Sequence, residues 1–117
     1  MTLAEFASLW GTYKTFLESV TAVSSDALHI HASISIYLFV ALFAGRGLAS
    51  VKPWLFVLAI ELANEWIDLH QPGGSAEANL AASQHDVLNT MLLPSLILIV
   101  ARLVERRRPQ DRNFLKR

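Results

Sequence analysis

"AIELANEWIDLH", residues 59–70, decides how the chain is read, because it sets Glu61, Asn64, Glu65 and Asp68 in a stretch that is otherwise hydrocarbon. Steps of three, one and three residues put these four side chains on one face of a helix. The apolar pattern continues on the amino-terminal side, so that "PWLFVLAIELANEWIDL", residues 53–69, reads as one helix with Pro53 in a first turn that tolerates it. Upstream, "ALHIHASISIYLFVALFAG", residues 27–45, is nearly uncharged. At about 1.5 Å of rise per residue it is long enough to cross about 30 Å of hydrocarbon. Downstream, "HDVLNTMLLPSLILIVARLV", residues 85–104, is a further span. The alternative, a soluble helical bundle, is disfavoured because 117 residues cannot bury two such helices on all sides. The expected fold is therefore all-α and integral to a membrane, with three transmembrane helices near 27–45, 53–69 and 86–104.

An amphipathic helix is expected before them. In "TLAEFASLWGTYKTFLESVT", residues 2–21, Leu3, Phe6, Trp10, Tyr13, Leu17 and Val20 recur at helical period and make one apolar stripe. Such a helix lies in the membrane interface or packs on partner helices. It lacks the basic start and unbroken apolar core of a signal peptide. Ser24 and Ser25 interrupt the pattern and offer a new helix start, with Asp26 in its first turn. Residues 70–84 read as a loop by their Pro-Gly-Gly signal, with room for a short helix in the second half. The expected organisation is thus an amino-terminal helix over 1–25, a three-span domain over 26–105 and a frayed basic tail over 106–117. Trp10, Trp54 and Trp66 read as interface anchors, and Pro94 removes the hydrogen bond to the Thr90 carbonyl.

Charge gives the orientation. Seven of the ten Lys and Arg residues lie at or after Arg102, whereas eight of the ten acids lie at or before Asp86. Basic flanks prefer the cytoplasm, so Arg106 to Arg108 and the Arg46 to Lys52 loop predict a multi-pass inner-membrane protein with a cytoplasmic C-terminus. Asp26, His29 and His31 then begin the first span from outside. Glu61, Asn64, Glu65 and Asp68 climb the outer half of the second, and His85, Asp86, Asn89 and Thr90 open the third. Three segments thus place polar groups in one layer, with Ser33 a turn deeper than His29. Ionisable groups at such depth cost at least about 2.5 kcal/mol by insertion scales, so they face the bundle interior or water. Three carboxylates on one face repel, and a proton, an imidazolium or a cation must relieve them. No Lys or Arg is expected in this layer, which leaves histidine or a metal.

The order of these residues resembles the VanZ-like membrane proteins. The counterparts are Asp26 with His29 or His31, Glu61 with Asn64, and Asp86 with Asn89. The likeness covers about residues 26–104, and it departs from the family pattern at Ala27, at Asn64 and in a last span without glycine. It implies a small polytopic protein of the bacterial envelope.

Three functions stand open at this point. As an accessory or binding subunit, the polar layer holds the bundle and the amphipathic helix docks on a partner. As a metal-assisted hydrolase of a lipid-linked or phosphate ester, the chain holds a divalent metal ion. His29, Glu61, Glu65, His85 and Asp86 are then candidate ligands, and Glu61, Glu65 or Asp86 the catalytic candidates. As a proton or cation relay, the same buried acids and histidines carry charge. Expected partners are membrane lipids and a larger membrane complex or a second copy. A basic patch for nucleic acid is missing, and the Arg-rich tail suits anionic headgroups. The chain has no cysteine, so thiolate zinc sites and disulfides are excluded.

Overall fold

The computed structural model describes residues 1–44, 47–72 and 79–115, with side chains as far as residue 108. Within these residues the chain is all helical: α1 (Leu3–Thr21), α2 (Ser25–Phe43), α3 (Val51–Leu69) and α4 (Leu80–Leu115). Local chemistry explains each start. Thr2 and Glu5 form a reciprocal capping box on α1, at 3.2 and 2.7 Å. Ser24 accepts from the Ala27 N–H and Ser50 from the Lys52 N–H, so both interior helices begin on a serine cap. Asn79 Oδ1 accepts from the Ala81 N–H at 2.8 Å at the start of α4.

α2, α3 and α4 each pack against the other two, and α1 lies against α2 and α3. Contacts fix the directions. At one end His29 of α2 meets Glu61 of α3 and Thr90 of α4. At the other, Tyr37 donates to the Leu48 carbonyl at 2.5 Å and Arg102 donates to the Ala49 carbonyl at 3.1 Å. α3 therefore runs antiparallel to α2 and α4. Midway, the Trp54 indole donates to Ser95 Oγ at 2.9 Å, and Tyr37, Val57 and Met91 form a small buried apolar core.

The interior is otherwise polar and the surface apolar. Ser33, Glu61, Glu65, Asp68, Ser83 and Thr90 are all buried, while Leu42, Phe43 and Leu88 are each more than 70% exposed. A water-soluble bundle has the opposite distribution. Two helices, α2 and the Leu80–Arg108 part of α4, are long and apolar enough to cross a membrane. α3 does not pass on composition, because Lys52, Glu61, Glu65 and Asp68 interrupt it.

Several expectations change. The turn signal Gly73-Gly74 lies outside the described residues, as does Arg46, but α4 begins at Leu80 rather than at His85. The tail does not fray where expected: α4 runs 36 residues, about 54 Å, through the basic cluster to Leu115. Arg, Glu and Gln are good helix formers, so polarity alone does not end the helix. The stripe expected to bury α1 is largely on its outside, since Leu3, Phe6, Tyr13 and Val20 are exposed. The face that packs carries Ala7, Trp10, Lys14 and Leu17. Specific bonds from Trp10 and Lys14 to α3 set this rotation.

Candidate metal centre

The site is assembled at the end of the bundle where α2 begins and α3 ends. Glu61 and Glu65, one turn apart on α3, are each about 5% exposed. His29 enters from α2, one turn below Ser25. Its Nδ1 lies 3.4 Å from Glu61 Oε1 and 3.3 Å from Thr90 Oγ1. One ligand atom from each of His29, Glu61 and Glu65 can be chosen so that all three lie within 4.8 Å of one another. Two ligands on one ion sit at most about 4.4 Å apart, twice a typical bond of about 2.2 Å, so small side-chain rotations close the set.

Two further interactions orient the set. Asn64 donates from Nδ2 to Glu65 Oε1 at 3.2 Å, and the Trp10 indole N–H donates to Asn64 Oδ1 at 2.8 Å. A chain of donors thus runs from α1 through Asn64 to a candidate ligand, as outer-shell partners do in metal sites. Asp86 bridges outward: its Oδ2 is 3.8 Å from His29 Nε2 and its Oδ1 is 3.7 Å from His85 Nδ1. Asp26, His85 and Asp86 form a second group within 4.8 Å, but Asp26 and His85 are more than half exposed. Solvated groups at a rim need no ion, whereas two buried carboxylates do need compensation.

One buried oxygen is conspicuous. Glu61 Oε1 makes its ion-pair contact with His29 but accepts no hydrogen bond among the described residues. Buried carboxylate oxygens are normally saturated with donors. Here the lone pairs stay available beside a histidine and a second carboxylate.

The predicted polar layer divides into separate jobs. His29, Glu61, Glu65, Asp86 and Thr90 come together as described. Asn89 does not join them; its Nδ2 reaches His85 Nδ1 at 3.5 Å on the rim. His31 is exposed and turns its Nδ1 back on the Ala27 carbonyl at 2.6 Å, so it leaves the layer. Asp68, 1% exposed, leaves it too, because both its oxygens contact Lys14 Nζ, at 2.5 and 2.6 Å. The expectation that no Lys or Arg reaches the layer is thereby corrected. Lys14 comes from α1, which the sequence reading set apart from the spans. Trp10, taken as an interface anchor, is likewise part of the site's support. A signal was present: Ala7, Trp10, Lys14 and Leu17 also recur at helical period.

No protein-family model, curated protein or solved structure matches the chain.

Proposed function

We propose that the chain is a small multi-pass protein of the cytoplasmic membrane that acts as a cation-binding subunit. α2, α3 and α4 cross the bilayer, α1 lies against them, and His29, Glu61 and Glu65 hold one divalent transition-metal ion in the outer half. The observation that carries this reading is the buried triad with its unsaturated Glu61 oxygen. A divalent cation neutralises both carboxylates at once, which a single histidine does not. A nitrogen donor among the ligands favours zinc or iron over magnesium or calcium, which prefer oxygen alone. Membrane residence is supported by the apolar exterior and by the two long apolar helices. The VanZ-like kinship remains part of this proposal, supported by the order Asp26–His29, Glu61–Asn64, Asp86–Asn89 along the helices.

Metal analysis of protein purified in mild detergent tests it. The expected result is one divalent metal per chain, lost in both Glu65→Gln and Glu65→Ala, with the Gln variant folding normally. Glutamine keeps the hydrogen bonding but removes the charge. Protein that neither retains nor takes up metal, and whose melting temperature ignores added metal, makes the triad interhelical glue instead.

A further inference from the structure

A cavity of about 320 Å³ reaches His29 and Glu61, two members of the triad. Its apolar walls come from Leu17 of α1, Leu28, Ala32 and Ile36 of α2 and Ile60 of α3. His29 and Glu61 line its polar end, with Lys14 and Glu18 of α1 also on the lining. Ala32 and Ile60 line the cavity and are also exposed on the outside of the bundle. The mouth therefore opens sideways between α2 and α3, toward whatever bathes the apolar surface. In a bilayer that is acyl chain, and a ligand reaching the triad by this route comes from the lipid phase.

We propose that this cavity binds a long-chain fatty carboxylate, with the acyl chain along the apolar walls and the carboxylate completing the shell of the ion at His29, Glu61 and Glu65. The inference rests on the cation reading above and adds its ligand. Three protein ligands leave at least one position open on a tetrahedral ion. Without the ion, Glu61 and Glu65 would repel an acidic head; with it, the polar end is an acceptor for one. The volume is at the small end of ligand sites, about 300–1,000 Å³, which suits one chain rather than the two of a phospholipid. Glu61, whose Oε1 accepts no hydrogen bond among the described residues, lines this cavity with His29, so an ion held there and an acidic head would meet at its polar end.

Electron spin resonance with doxyl-labelled stearic acid, on full-length metal-loaded protein in phosphatidylcholine vesicles, tests the inference. Metal content is measured on the same samples. A stoichiometric immobilised signal is expected beyond the boundary-lipid background. It should vanish on chelation and in Ala32→Trp or Ile60→Trp, which fill the cavity, while both variants keep their metal. Unlabelled stearate should displace it and phosphatidylglycerol should not. Full metal content with no such signal, or a signal indifferent to chelation and to both tryptophans, overturns the fatty-acid proposal and leaves the cation reading standing. Displacement by phosphatidylglycerol overturns it as well. Absence of metal from the parent protein is a different result, and it removes the cation reading itself.

Discussion

Lys14 and Asp68 join the amino-terminal helix to α3 through a pair of which the carboxylate is 1% and the ammonium side chain 16% exposed. Removing one partner of a buried pair costs roughly 3–5 kcal/mol, most of it from the charge left behind. Gln71 Nε2 also donates to Asp68 Oδ1 at 3.1 Å, so some compensation survives. Lys14→Met is therefore expected to destabilise by about 3 kcal/mol, the low end of that range. Adding Asp68→Asn should recover part of the loss, because the surplus charge goes. Thermal unfolding of the three variants in one detergent measures it; a Lys14→Met protein as stable as its parent would remove the pair from the account. Trp10 makes a finer test. Its indole N–H holds Asn64, which in turn holds Glu65, so Trp10→Phe leaves all three candidate ligands in place but frees the one behind them. Metal affinity should fall about tenfold, the lower end for loss of an outer-shell partner. Calorimetric titration reads it, and unchanged affinity would mean that α1 only covers the site.

At the scale of the helices, the joint between α1 and α2 holds the chain's sole non-glycine residue of positive φ among those described, Ala22 at 55°. Left-handed backbone costs a residue with a Cβ roughly 1–2 kcal/mol, and glycine is the usual occupant of such a helix terminus. Ala22→Gly should raise stability by up to about 1 kcal/mol after the added entropy of the unfolded chain is counted. A lower melting temperature would show that the joint is not strained. Element by element, the sequence discloses what is local. The apolar runs, the serine starts at Ser24 and Ser50 and the tolerance of Pro53 in the first turn of α3 can all be read from neighbours. What faces what is harder. α1 has two helical stripes, Leu3 to Val20 and Ala7 to Leu17, and only the partners on α3 decide which packs. For the same reason Glu61, His29 and Asp86 could be matched by depth along their helices, whereas Lys14 could not. It sits on an element whose depth no periodicity fixes. Asp68 shares the face of Glu61 and Glu65 and so reads from sequence as part of their layer, yet one further turn carries it to a different neighbour, Lys14.

For the whole molecule, the open question of architecture is whether α3 crosses. Its composition argues against it, since a carboxylate at mid-membrane costs about 2.5–3.5 kcal/mol on insertion scales and α3 carries three. That cost applies to groups facing lipid. Glu61, Glu65 and Asp68 are all within 5% of full burial, and each has a contact that α3 does not supply alone: His29 for Glu61, the Trp10–Asn64 pair behind Glu65, and Lys14 for Asp68. α3 also packs against both α2 and α4 and has the same 19-residue length as α2, so it reaches both ends of that helix. The opposite, outward side of α3 carries Leu55, Phe56, Leu62 and Trp66, all exposed. α3 should therefore cross as part of the bundle although it would insert poorly by itself. Counting crossings decides it. With α2, α3 and α4 spanning and α1 peripheral, the amino and carboxyl termini lie on opposite sides; with α2 and α4 alone, they lie on the same side. By the preference of basic flanks, the stretch Arg106 to Arg108 predicts a cytoplasmic carboxyl end. A fluorescent-protein fusion at the C-terminus should therefore fluoresce, and an alkaline phosphatase fusion after His70 should be active. A phosphatase fused at the amino terminus behind an export signal should be active as well. If instead both termini report from the cytoplasm, with the His70 fusion still active, α3 does not cross, and the buried triad would then have to be placed at the membrane surface.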